Sequence, residues 1–212
     1  MKKQKSSVRC HYNAINAMGF LRDKCLIFPL NNETLKHCRP FSCGDNDLDD
    51  FFSRDANNYA RQLLGKSYCF RLEDDMSEVI CAFTLSNSSI DARNLPNSRR
   101  KKLTENIPHE KSLSSYPATL IGRLGVSREY GGRGIGTELM EFIKQWLLEP
   151  GAKAACRYLT VDAYNNIQTL KFYETNGFKL LFSSEQQERE YIGLSPEREL
   201  KTRLMYFDLI FY

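Results

Sequence analysis

Leu120–Met140 reads LIGRLGVSREYGGRGIGTELM. An apolar, strand-like segment (Leu120, Ile121, Leu124, Val126) runs into a loop holding Gly131, Gly132, Gly134 and Gly136. A helical pattern follows at once, with Ile135, Leu139, Ile143, Trp146 and Leu147 on one face of a helix predicted over Arg133–Leu148. Glycines at this density let backbone N–H groups turn toward one point. The helix start adds unpaired N–H groups and the positive end of its dipole. Strand, glycine loop and helix start together make an anion cradle, most often for a phosphate.

The rest of the composition bounds the reading. A chain of 212 residues is one domain by default. With 42% apolar and 26% charged residues it has an ordinary globular balance. A net charge of +4 neither demands nor excludes a nucleic-acid partner. Seven cysteines without a CxxC pair point to reduced, mostly buried thiols in a cytoplasmic protein. No zinc spacing is present, so no metal is expected. The basic start (Lys2, Lys3, Lys5) has no long apolar run behind it, so neither a signal peptide nor a membrane partner is expected.

In chain order, residues 1–22 show no clear period and read as a loose arm or a short docking helix. Residues 23–212 read as the domain. Cys25–Leu30 is a first strand and 31–44 a loop. A helix starts at the N-cap Asp45, keeps Leu48, Phe51 or Phe52, Ala56, Tyr59 or Ala60, and Leu63 on one face, and stops at Gly65. Ser67–Leu72 and Val79–Ser88 form a hairpin. Residues 91–116 form an insertion carrying the basic run Arg99-Arg100-Lys101-Lys102, with one helical turn near 97–104. Ala118–Val126 is a core strand. Arg157–Ala163 is the next, followed by a helix over 166–175 closed by Asn176-Gly177. A strand begins at Phe178, 183–198 is a polar loop, and Thr202–Phe211 is the last strand. The result is an α/β (mixed α+β) fold: a mixed sheet of six to seven strands with helices on both faces. A right-handed crossover makes 118–126 and 157–163 parallel.

Three phosphate loops compete for the glycine run. A Walker loop needs Gly-Lys-Ser/Thr, but Gly136 is followed by Thr137-Glu138. A dinucleotide fingerprint needs G-x-G-x-x-G, and the last spacing fails here. The third is the pyrophosphate loop of acyl-CoA transferases. Tyr130–Gly136 (YGGRGIG) resembles the Gln/Arg-x-x-Gly-x-Gly/Ala loop of the GNAT superfamily of N-acetyltransferases, matching at Gly134 and Gly136. It departs at Gly131, where the family has Gln or Arg. Arg133 is the candidate for the missing charge. Val161–Phe178 (VDAYNNIQTLKFYETNGF) is similar to the family's later motif, with Asn166 ahead of Phe172-Tyr173 and Gly177-Phe178. Phe41–Phe51 (FSCGDNDLDDF), Leu95-Pro96 with its basic run, and Ile121–Leu124 (IGRL) resemble the subgroup containing aminoacyl-tRNA-acetylating toxins of toxin–antitoxin pairs.

The resemblance implies a sheet splayed between its two parallel strands and acetyl-CoA as cosubstrate. It implies that backbone groups of Leu124, Gly125 and Val126 pair with the pantetheine arm, one of them polarising the thioester carbonyl. Gly131, Gly132, Arg133, Gly134, Ile135, Gly136 and Thr137 would hold the pyrophosphate, and Asn166 the pantetheine end. Tyr173 matches the general acid that protonates the leaving thiolate. Glu129, Asp162 or a water chain is left as the base. Arg99, Arg100, Lys101, Lys102 and Arg123 are the candidate acceptor contacts. The reaction implied is direct attack of a primary amine, with the amino group of charged tRNA as one acceptor. A small amine or protein amine is the alternative, as is a non-catalytic acyl-CoA-binding module. An antitoxin protein and a homodimer complete the partners that the resemblance allows.

Overall fold

The computed structural model describes residues 19–107, 113–151 and 155–212. Residues 1–18 of the expected arm and 108–112 of the basic insertion lie outside the described residues. The chain forms a seven-stranded mixed sheet with strand order β1-β2-β3-β4-β5-β7-β6. It divides into two compact units, one reaching to Ser86 and including Gly122–Phe142, the other made of Asn87–Ile121 and Ile143–Tyr212.

The first unit opens with a short helix, α1 (Phe20–Lys24), which begins at the end of the expected arm and runs into the domain. Strands β1 (Cys25–Pro29), β2 (Lys66–Leu72) and β3 (Val79–Asp91) pair antiparallel. Between β1 and β2, a stretch expected as loop holds α2 (Asn32–Leu35), capped by the Asn31 side chain on the Thr34 N–H at 2.9 Å. The Asp45 cap is as expected: its side chain accepts from Asp47 N and Leu48 N at the start of α3 (Asn46–Asp50). That helix runs through a π turn (Phe51–Asp55) into α4 (Ala56–Arg61). The π turn resolves the ambiguity between Phe51 and Phe52. One extra residue per turn rotates both rings inward, and both are buried against Leu30, Cys69, Val79 and Ala82. The helix stops at Leu63, which takes the left-handed φ of +59° and is exposed, so it ends the helix instead of extending its apolar face, and the stop is not at Gly65. A bulge in the β2/β3 register shifts the alternation, so Val79 and Ala82 face the same cluster although three residues apart. On the opposite face Phe70 and Phe83 pack against Phe142, with ring centroids 4.9 and 6.4 Å apart.

β4 (Ser115–Val126), which lies in the second unit as far as Ile121, and β5 (Tyr158–Tyr164) are parallel, as the crossover argument requires. Their register runs from Ala118↔Tyr158 to Ile121↔Val161 and no further. β5 pairs antiparallel with β7 (Thr202–Asp208), which pairs with β6 (Lys179–Leu180). Neighbouring residues of β7 point to opposite faces. Tyr206 joins Tyr158, Leu103 and Tyr191, whereas Phe207 meets Phe178 at 5.8 Å. Leu103 belongs to α5 (Asn97–Thr104), the helical turn expected in the insertion. Tyr191 belongs to α8 (Glu185–Ile192), inside the stretch expected as polar loop. Ser184 caps α8 on the Gln187 N–H, and the Gln187 side chain returns to Ser183 N at 3.2 Å. That Ser-x-x-Gln spacing is a readable helix start; the polar composition hid it. The strand from Phe178 is only two residues long, and the last strand ends at Asp208 in a 3-10 turn.

Candidate active site

The glycine loop is assembled from backbone. The β2/β3 bulge leaves Ile80 O free to accept from Ser127 N at 2.8 Å, which fixes the end of β4. The segment Ser42-Cys43-Gly44 lies against the same end. Ser42 O accepts from Arg128 N at 3.0 Å, and a Cβ on Gly44 would stand 2.6 Å from Arg128 Nε. Asp49 holds this segment, accepting from Ser42 Oγ at 2.6 Å and Cys43 N at 2.7 Å. Burial pushes its carboxyl up, but those bonds outweigh it and the pKa is lowered. The FSCG stretch is therefore a ledge under β4. Gly125 is required by it, because a Cβ there would lie 3.0 Å from both Cβ and Sγ of Cys43. Gly125→Ala is expected to cost about 1–3 kcal/mol by overpacking. Thermal melts of that variant with and without Cys43→Gly check this: removing the Cys43 side chain should restore most of the loss.

After a 3-10 turn (Arg128–Tyr130), Gly132 and Gly134 take φ of +72° and +79°, where L side chains are strained. The loop then enters α6 (Ile135–Leu147). Glu138 N is the first to close a helical bond, to Gly134 O at 3.0 Å. The N–H groups of Ile135, Gly136 and Thr137 precede it, in the first turn, where a helix leaves its donors without an intrahelical partner. Gly131 differs from the expectation: its N–H is spent on Arg128 O at 3.3 Å, so it closes the turn. The Arg133 guanidinium lies 5.4 Å from the Tyr130 ring centroid, beside the loop. Leu124 and Val126 are half-buried on β4. Arg123, on the same strand, stacks 3.9 Å over the Phe51 ring and 5.8 Å from Tyr59.

In the second unit Tyr173 lies on α7 (Ile167–Thr175), buried between Phe172 and Phe178 at 5.1 and 5.4 Å. Burial pushes its phenol up to about 12, so it keeps its proton at neutral pH. The end of α7 is anchored by Lys144 Nζ on Asn176 O at 2.9 Å, with Gly177 at φ +84° as the expected C-cap. Asn166 is the N-cap of α7, its Oδ1 accepting from Thr169 N at 2.9 Å. Only its exposed amide NH₂ is left for a ligand. Asp162, exposed on β5, is still surrounded closely enough that desolvation raises its carboxyl.

The basic run splits by helical phase. Arg99 turns inward, its Nε and Nη2 donating to Leu181 O and Leu180 O at 2.6 and 2.7 Å. It ties α5 to the stretch after β6, so the structure gives it a packing role in place of the expected acceptor role. Asn97, Arg100, Lys101 and Thr104 follow i, i+3, i+4, i+7 spacing and line one side of a cavity of about 750 Å³ with Arg93 and Tyr116. Lys102 is exposed and absent from that lining. Among the described residues, no cluster of His, Cys, Asp or Glu is placed to hold a metal, and no helix is long and apolar enough to cross a membrane.

The acetyltransferase (GNAT) family model matches residues 103–178, the stretch holding the glycine loop and Tyr173. Solved structures share the fold. A tyrosine-to-phenylalanine mutant of KacT aligns at TM-score 0.59 and 18% identity, over 88% of this chain and 96% of its own. AtaT complexed with acetyl-methionyl-tRNAfMet aligns at 0.58 and 21%, over 89% and 99%. AtaTR bound with AcCoA aligns at 0.54 and 19%, over 89% and 95%. Residues 103–178 thus match the acetyltransferase (GNAT) family model, and the chain shares its fold with these solved structures, one of them bound with AcCoA.

Proposed function

We propose that this enzyme acetylates the amino group of an aminoacyl-tRNA in the cytoplasm, as a toxin restrained by an antitoxin protein. The observation that carries the acceptor is the cavity lined by Arg93, Arg100 and Lys101. It offers guanidinium and ammonium groups of the kind that bind an RNA backbone. Arg93 is paired with Asp91 at 2.8 Å, which leaves Arg100 and Lys101 as the main phosphate contacts. The AtaT complex, whose fold this chain shares, supports the same substrate class.

In this reading the N–H groups from Gly132 to Thr137 take the pyrophosphate, Arg133 adds charge beside them, and Asn166 NH₂ meets the pantetheine. The β4 backbone at Leu124–Val126 polarises the thioester carbonyl. The neutral amine attacks that carbonyl, the C–S bond breaks, and Tyr173 delivers its proton to the leaving sulfur. Asp162 is the carboxylate best suited to take the proton from the amine. Its raised pKa brings it nearer neutrality, and no hydrogen-bond donor holds it among the described residues.

The deciding experiment incubates the protein and acetyl-CoA with charged tRNA, peptides, polyamines and free amino acids, and reads products by mass spectrometry. Acetylation of charged tRNA alone is the expected outcome. Turnover on peptides or polyamines with none on tRNA would overturn the acceptor assignment. Arg100→Glu with Lys101→Glu should raise KM for tRNA by about tenfold or more and flatten its salt dependence. Arg99→Gln should instead lower the melting temperature and leave that salt dependence in place.

A further inference from the structure

Helix α1 grips the donor loop at both ends. Before the loop, the Phe20 ring lies 5.6 Å from the Tyr130 ring. After it, Arg22 N–H donates to Glu138 Oε1 at 3.1 Å, in the first turn of α6. Gly19 sits so close to that carboxylate that a Cβ would stand 2.3 Å from Oε1. The helix is itself held: Leu21 is buried, and Lys24 O accepts from Glu73 N at 2.8 Å.

Both contacts fall on residues that flank the glycine loop. Glycine-rich backbone loses more conformational freedom on ordering than any other, and a ligand must supply that cost when it binds a loose loop. Clamping Tyr130 and Glu138 from outside removes part of the cost beforehand. A carboxylate in the first turn of α6 also competes with a phosphate for the same helix N-terminus. The Arg22 N–H engages that carboxylate before any anion arrives.

We propose that α1 is a brace for the acetyl-CoA loop, with Phe20 and the Arg22 backbone as positioning groups acting through Tyr130 and Glu138. The proposal rests on the reading that Gly132–Thr137 hold acetyl-CoA. It predicts that residues 19–22 set donor affinity without touching the donor or the rate of transfer. The Phe20 ring and the Glu138 acceptor oxygen are the two handles. Phe20→Tyr keeps the ring and Phe20→Ala removes it. Glu138→Gln and Glu138→Ala both remove the charge, but only the first keeps an acceptor for Arg22 N–H.

Calorimetric titration of CoA into the full chain and these four variants tests it, with KM for acetyl-CoA and kcat measured alongside. Phe20→Ala should bind CoA about fivefold more weakly than Phe20→Tyr, and Glu138→Ala about fivefold more weakly than Glu138→Gln, the size of one lost interaction. KM for acetyl-CoA should follow, with kcat unchanged. Equal CoA affinity within both pairs would overturn the brace, as would a fall in kcat at constant donor KM. A wild-type chain that binds no CoA would instead overturn the loop assignment itself. If Phe20→Ala does not fold, the Glu138 pair decides alone, because its side chain is half-exposed and its loss opens no core cavity.

Discussion

Tyr173→Phe is expected to cut acetyl transfer by about 10²–10⁴-fold, the usual contribution of a positioned acid. The substitution removes one oxygen and keeps the ring between Phe172 and Phe178, so the melting temperature should move little. CoA affinity should also hold, because the proton is needed only as the C–S bond breaks. Burial raises the phenol to about 12. That keeps it protonated through the whole neutral range, but also makes it a weaker acid toward a solvated thiolate. The same desolvation raises the basicity of a thiolate leaving inside the protein, which narrows the gap. The kcat–pH profile should therefore show no alkaline limb from Tyr173 near neutrality. A Tyr173→Phe enzyme with wild-type kcat would reduce Tyr173 to a core aromatic. Single-turnover assays on the acceptor found by mass spectrometry make the comparison.

The second large effect is on stability. Glu188 on α8 and Arg203 on β7 are both buried, with Arg203 Nε on Glu188 Oε2 at 2.6 Å and Leu204 N on Glu188 Oε1. Burial raises the Glu188 carboxyl more than Arg203 and the Leu204 N–H lower it. The Arg203 Nη2 has no partner among the described residues. The pair is imperfectly compensated, and removing one side leaves a charge in the interior. Arg203→Met should cost about 3–5 kcal/mol, read as a fall in urea midpoint. Arg203→Met with Glu188→Gln should recover most of that loss. The pH dependence has a definite sign. A carboxyl whose folded pKa is raised contributes its stability below the unfolded pKa and loses it as pH rises. The deficit of Arg203→Met should therefore shrink as pH falls and Glu188 takes up a proton. An equal deficit at every pH would show that lost packing, and not the carboxylate, is responsible.

Much of the fold was legible because its signals are local. The alternation of β2, the Asp45 cap, the Gly177 stop and the face shared by Ile135, Leu139 and Ile143 depend on neighbours within a few residues. The glycine loop was legible for the same reason: a backbone cradle is written in the residues that permit it. The misreadings have tertiary causes. The π turn at Phe51–Asp55 exists because two adjacent rings are drawn into one core, which no helical period anticipates. Helix α8 is polar over most of its surface, and it is held by Glu188 and Tyr191 reaching β7 and Asp91 O.

The basic run at 99–102 marks the boundary most clearly. The sequence alone determined that four cations stand in a row, because composition and spacing are one-dimensional facts. It also determined the glycine loop and the helix start behind it, because backbone N–H groups belong to every residue and only glycine and helix start are needed to aim them. Which cations face the cavity was decided by the tertiary structure. Helical phase sends Arg99 to the carbonyls of Leu180 and Leu181, and Arg100 and Lys101 to the cavity wall. A side chain's role depends on what lies opposite it, and Leu180 and Leu181 come about 80 residues later in the chain.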